Sequence, residues 1–274
     1  ILAQAVFLGV EAPHLDSRVL TCQYFSDSAM CKVSPLVQDD DVDSSEISTD
    51  LGSDAHRSLE RQADDQSQLA PPEACENLVI FDWDDTLFPT TWLKEQGLLE
   101  EDCVITPEQD ARLEALADLV AVTLETAKRR GGVAIVTNGE QGWVEMSCEA
   151  IMPSLQPHLA GVTIVSARSR HEKPGLFEPT KWKCLAFEEV VREFYGAFDQ
   201  SGVFLRRNIA SIGDSEYEMQ ALKWIATRTE CSAKCLKLVQ QPCLEQLMEQ
   251  HEQLAGMVDD VIDHHGNLDY EIGV

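Results

Sequence analysis

LVIFDWDDTL, residues 78–87, decides how the rest of the chain is read. Four consecutive apolar residues form a strand of the kind buried on both faces inside a parallel sheet, and the run stops at Asp82. Asp84 follows two residues later, so two carboxylates stand where a buried strand emerges. Such charge needs a partner when it leaves water, and a hard cation with oxygen ligands supplies one.

Four similar runs lie downstream: VAIVT at 133–137, VTIVS at 162–166, NIASIG at 208–213 and CLKLV at 235–239. Amphipathic stretches separate them, and this alternation predicts an α/β fold, a Rossmann-like doubly wound parallel sheet with helices on both faces. Thr106, Pro107 and Gln109 give the first long helix a cap, a first-position proline and a capping-box partner. Leu113, Leu116, Val120 and Leu124 keep helical spacing, and Lys128, Arg129, Arg130, Gly131 and Gly132 close it. Basic residues before glycine suit the negative end of a helix dipole, so these cations are read as capping and not as an anion site. Cys243 to about His264 reads as a last long helix, with His264 and His265 at its end.

Ligands of open parallel sheets bind beyond the carboxyl ends of the strands. The residues ending or following the runs there are Asp82, Thr137, Ser166 and Asp214. That set suits phosphoryl transfer through an aspartyl-phosphate: Asp82 attacks phosphorus, Asp84 handles protons, and the Thr137 hydroxyl holds a phosphoryl oxygen. Mg²⁺ would screen the repulsion between Asp82 and an incoming phosphate; its candidate ligands are Asp82, a loop carbonyl and Asp214. A lysine is then wanted against the spread charge of the transition state. Lys181 and Lys183 compete in KWKCLAFEEVVREFY. At about 100° per residue, Lys183 falls near the middle of the apolar arc of Trp182, Ala186, Phe187, Val190, Val191 and Phe194, whereas Lys181 projects with Glu188 and Arg192. A lysine on a core-facing stripe needs an anion, so Lys183 is expected to serve the site.

These residues resemble the haloacid dehalogenase superfamily over roughly residues 77 to 240. LVIFDWDDTL is similar to its nucleophile motif, VAIVTN to its strand-ending Ser/Thr motif, and IGDSEYE to its acidic metal motif. A less specific likeness, in WVEM, VSARS, KWK and GDS, is to a branch of the superfamily in plants and protists. The resemblance implies a Mg²⁺-dependent phosphatase with nucleophile Asp82 and acid/base Asp84, whose carbonyl binds the metal. It further implies phosphate-binding Thr137, Asn138 and Lys183, metal-binding Asp82, Asp84 and Asp214, and Glu218 as a supporting carboxylate. Lys183 lies further upstream of Asp214 than the family's lysine usually does. Neither gap in which members insert a cap domain is large here, so the site is expected to be open. By analogy with capless relatives, an open site suits a phosphorylated protein, with a small phosphomonoester as the second choice.

ARSRHEK, residues 167–173, is a basic island directly after the third strand. Arg168, Arg170 and Lys173 could form a rim that reads an anionic target, or they could offset neighbouring acids. Trp143 and Trp182 are expected to be core residues. A net charge of −27 disfavours nucleic acid and anionic membranes and favours cations and basic partners. Nine cysteines without a zinc-type pair read as reduced thiols of a cytoplasmic or nuclear protein. From about Asp39 to Pro72 the composition is acidic and poor in apolar residues, so residues 1–75 are expected to be largely disordered and 76–274 to form the α/β domain. The acidic run could bind a basic protein or, at Ser44, Ser45 and Ser48, accept phosphate. The first ten residues lack a basic leader and are too short to span a bilayer. The missing initiator Met is expected of a fragment or processed chain, which leaves an upstream targeting segment open. Two alternatives share the same residues: a catalytically idle domain that binds a divalent cation and protein partners, and a phosphotransferase.

Overall fold

VAIVT and VTIVS match their strands to within one residue, whereas the strands of LVIFD, NIASIG and CLKLV begin two or three residues before the run, because backbone pairing and not side-chain chemistry sets the ends. The computed structural model describes residues 75–100, 102–199 and 206–273. The acidic stretch and the rest of residues 1–74 lie outside the described residues. The strands are β1 (Cys75–Phe81), β2 (Gly132–Thr137), β3 (Thr163–Ser166), β4 (Arg206–Gly213), β5 (Ser232–Lys237) and β6 (Leu268–Glu271). They pair in parallel throughout, in the order β3-β2-β1-β4-β5-β6. The helices are α1 (Thr90–Glu95), α2 (Pro107–Arg130), α3 (Trp143–Ile151), α4 (Ala167–His171), α5 (Pro179–Asp199), α6 (Glu216–Ala226) and α7 (Leu244–Asp263), with a 3-10 stretch at Pro153–Leu159.

Alternation along β1 divides the interior into two cores. Val79 and Phe81 meet Leu113, Leu116 and Val120 of α2, Val144 of α3 and Leu254 of α7. Leu78 and Ile80 meet Trp182, Phe187 and Val190 of α5 and Leu222 and Ile225 of α6. Helices therefore cover both faces, the doubly wound arrangement, and each fully buried Leu, Ile, Val or Phe side chain contributes about 1.5–3 kcal/mol. Between β1 and β2 stand only α1 and α2, and between β2 and β3 only α3 and the 3-10 stretch, so there is no large cap.

α2 starts with the full capping box: the Thr106 side chain accepts from the Gln109 N–H, and the Gln109 side chain answers at Thr106 N. At its other end Arg130 pairs with Asp259 at 3.0 Å and with Asp263, both on α7. Lys128 donates to the His158 carbonyl at 2.6 Å. These cations thus tie helix ends together. His264 is the residue that ends α7. Two elements depart from the sequence reading: β6, which has only Leu268 and Tyr270 as apolar residues, and α4, where ARSRH is helical and not a loop. Among the described residues, no helix is long and apolar enough to cross a membrane.

Candidate functional site

The strand order reverses at β1 and β4, whose connections leave in opposite directions and open a crevice at their carboxyl ends. Phe81 sits in register with Ile212 of β4 and Ile135 of β2, and the Asp82 N–H donates to the Ile212 carbonyl at 2.9 Å. This pairing sets Asp82 beside Asp214 on one side and Thr137 on the other. The chain then closes a tight turn in which Leu87 and Phe88 both donate to the Trp83 carbonyl at 2.9 Å. Asp85 takes the left-handed conformation there, with φ 55°, which short polar side chains tolerate better than most. Its carboxylate accepts from the Thr91 N–H at 2.7 Å and the Thr91 hydroxyl at 2.5 Å, anchoring α1 to the turn.

The turn is also held from beneath. His251 of α7 is fully buried, with Nε2 2.8 Å from the Thr86 carbonyl and Nδ1 3.0 Å from Thr123 Oγ1. A carbonyl only accepts, so Nε2 carries the proton and the Thr123 hydroxyl donates to Nδ1. Burial lowers this imidazole to about 4, against the opposing pull of its bond to Thr86.

Lys183, on the second turn of α5, is 1% exposed. Its ammonium lies 2.7 Å from Asp82 Oδ1 and also pairs with Glu218 Oε1. Lys181 stays exposed beside Glu178. Ser215 and Glu218 form a capping box at the start of α6, in which Glu218 Oε2 accepts from the Ser215 N–H at 3.1 Å and from its hydroxyl. A Cβ on Gly213 would lie 2.4 Å from Glu218 Cγ, so the glycine lets this side chain fold back over the strand end.

Asp82, Asp214 and Glu218 each offer an oxygen, all within 4.8 Å of one another and all buried. Three carboxylates face one ammonium, an excess of negative charge in a low-dielectric place. Burial pushes the Asp82 carboxyl well above the usual range; Lys183 opposes this, and Glu218, Asp214 and Asp84 add to it. Asp214 is pushed up to about 7 by burial and by the charges of Glu218 and Asp85, against Lys183 and a bond from the Gln241 backbone. Burial works to lower Lys183, but Asp82 and Glu218 outweigh it and hold the ammonium above its usual range. All three directions report one fact: the cluster carries more negative charge than it can bury unaided. An all-oxygen donor set of this charge fits a hard divalent cation.

The Asp84 carboxylate is not part of that triad. Thr90 Oγ1 donates to its Oδ1 at 2.6 Å and Trp143 Nε1 to the same oxygen at 2.9 Å, while Thr137 Oγ1 donates to Oδ2 at 3.1 Å. Thr137 in turn accepts from the Gly139 N–H at 2.8 Å. Asn138 is half-buried, with its Oδ1 buried and lacking a hydrogen bond. Trp182 is core, its indole N–H on the Leu176 carbonyl. Trp143 is only partly buried, and its polar edge belongs to the site. Thr90 lies outside every motif and Trp143, although it opens WVEM, reads from the sequence as core, whereas the S-x-x-E spacing of Ser215 and Glu218 is readable as a cap.

The basic island sits beside the site without converging on it. Arg168 lies 2.6 Å from Glu172 and 3.9 Å from Glu140, Arg170 lies 3.1 Å from Glu189, and Lys173 is exposed. Of the three, only Arg170 lines a depression of about 110 Å³ that also touches Thr137, Gly142, Val144, Ser166 and Ser169. Comparisons of the chain with protein-family models, with curated proteins and with solved structures found no match.

Proposed function

We propose that this protein is a Mg²⁺-dependent phosphomonoester hydrolase of the haloacid dehalogenase type, working through an aspartyl-phosphate on Asp82. The observation that carries the reading is the pairing of buried Lys183 with Asp82 and Glu218 at the topological switch point, beside Asp214. Three carboxylates and a lysine at one strand end are costly to bury, and strongly perturbed groups of this kind cluster at functional sites. Bound there by Asp82, Asp214 and the backbone after Asp82, the cation would supply charge screening for attack on a phosphate.

The chain's own groups divide the remaining work. Asp82 attacks phosphorus, and the leaving oxygen takes its proton from Asp84. Lys183 neutralises the phosphoryl oxygens, and Thr137 and Asn138 donate to them. In the second half-reaction Asp84 draws a proton from water as it displaces phosphate from Asp82, which restores both carboxyl groups. With no large cap over the crevice, a phosphorylated protein can reach it, and that is the substrate class the architecture favours, with small phosphomonoesters second. Metal-dependent hydrolysis of an aryl phosphate by wild type, abolished in Asp82→Asn, is the expected result. Equal turnover by the two proteins would falsify Asp82 as nucleophile.

A further inference from the structure

Asp84 Oδ1 receives two donors and Oδ2 one, and the identity of the donors makes the two oxygens chemically different. Indole nitrogen donates and never accepts, so the oxygen facing Trp143 Nε1 at 2.9 Å cannot itself bear a proton in that bond. The Thr90 hydroxyl, 2.6 Å away, donates to the same atom in this pose but, being a hydroxyl, can turn and accept. Among the described residues Oδ2 faces only the Thr137 hydroxyl, which can turn likewise, so Oδ1 alone meets a group that can never accept. Trp143 is fixed in this pose. Its ring packs edge-on against Phe88 with centroids 6.1 Å apart. A Cβ on Gly139 would lie 2.5 Å from the indole, so the loop after β2 closes down on the ring. Thr137 also borders the depression, and it is a partner of Oδ2 and not of Oδ1.

We infer that Trp143 is a positioning residue that fixes which oxygen of Asp84 carries the catalytic proton, reserving Oδ1 as a deprotonated acceptor and leaving Oδ2 as the acid. The inference rests on the phosphatase reading. In the first half-reaction the Asp82–phosphorus bond forms, the bond from phosphorus to the leaving oxygen breaks, and the Oδ2 proton moves to that oxygen. In the second, water loses a proton to Oδ2 as its oxygen bonds to phosphorus and the Asp82–phosphorus bond breaks. Without the indole N–H, the Asp84 proton distributes over both oxygens and the carboxyl loses its aim.

The test is leaving-group dependence. A nitrophenyl phosphate leaves without protonation, whereas an alkyl phosphate needs the acid. Trp143→Phe keeps the ring and deletes the N–H; its kcat should fall about tenfold further on the alkyl ester than on the nitrophenyl ester, a part of the hundredfold or more that a general acid supplies. Thr90→Val, which removes a hydroxyl able to donate or accept and leaves the indole in place, should show no such bias, and both variants are read below their melting temperatures. Equal losses on the two esters in Trp143→Phe, or the same bias in Thr90→Val, would overturn the inference and make Trp143 a packing residue. Failure of the phosphatase reading looks different: Asp82→Asn would then match wild type on either ester.

Discussion

The two ends of the sheet both bury polar side chains, and they do so in opposite ways. At the amino ends of the strands, Lys234 donates to the Ile262 carbonyl at 2.7 Å, Asn208 to the same carbonyl at 2.9 Å and to Asn77 at 2.8 Å, and Asn77 to the Arg130 carbonyl at 2.7 Å. These groups meet the unpaired carbonyls of α2 and α7, where a helix dipole is negative, so one cation and two amides close two helix ends. At the carboxyl ends, Lys183 pairs with Asp82 and Glu218, and Asp214 stands beside these two carboxylates. The first end is closed and serves stability. The second carries excess negative charge that a proton or a further cation would balance, and the proposed site rests on that excess.

Removing the one ammonium from the acidic end should have the largest effect. Lys183→Met leaves Asp82 and Glu218 without their partner, beside a third buried carboxylate, and stripping one member of a buried pair costs about 3–5 kcal/mol; denaturant unfolding in chelator measures it. A loss near zero would mean that the cluster is solvated, and the contrast between the ends would collapse.

Asp214 gives the next effect, through pH. Its folded-state value of about 7 stands above the ordinary 3.8, so the fold binds the proton more tightly than the unfolded chain does. The stability it contributes is present below the ordinary value and is lost as pH rises through about 7. Thermal midpoints in chelator should therefore fall across that range, with Mg²⁺ restoring more at pH 8 than at pH 5. Asp214→Asn should flatten the fall and remove most of the Mg²⁺ response. An unchanged Mg²⁺ response in that variant would show that the cation sits elsewhere.

His251 runs the other way. Its folded-state value of about 4 lies below the ordinary 6.5, so its contribution is complete above 6.5 and is lost as pH falls toward 4. His251→Gln, which can still donate to Thr86, should lose part of the acid sensitivity seen in wild-type melts over that interval. An identical acid limb would place the sensitivity in other groups.

The amino end supplies the smallest effect and the control. Lys234→Met leaves the Ile262 carbonyl with Asn208 as donor, at a cost of about 1–3 kcal/mol. Phosphate-ester turnover at temperatures below the melt should not change. A turnover defect equal to that of Lys183→Met would mean that the two ends are coupled.

Much of this arrangement was legible along the chain because its causes are local. Apolar runs named five of the six strands, the Thr106 cap fixed the start of α2, and helix phase separated Lys183 from Lys181. β6 escaped because it is an edge strand, largely exposed, so its side chains keep no buried pattern. The donors to Asp84 escaped because Thr90 and Trp143 belong to different elements, and only packing brings them together.

By itself the sequence determined the α/β class and the carboxylates and lysine available for chemistry, since strand and helix periods and the residue that ends each run depend on near neighbours. The tertiary structure decided the strand order that opens the crevice between β1 and β4. It also decided that Glu218 joins Asp82 and Asp214 around Lys183, and that Asp84 turns to Trp143. Those facts follow from which strands pair and which helices share a face, and such long-range choices leave no periodic trace in one chain.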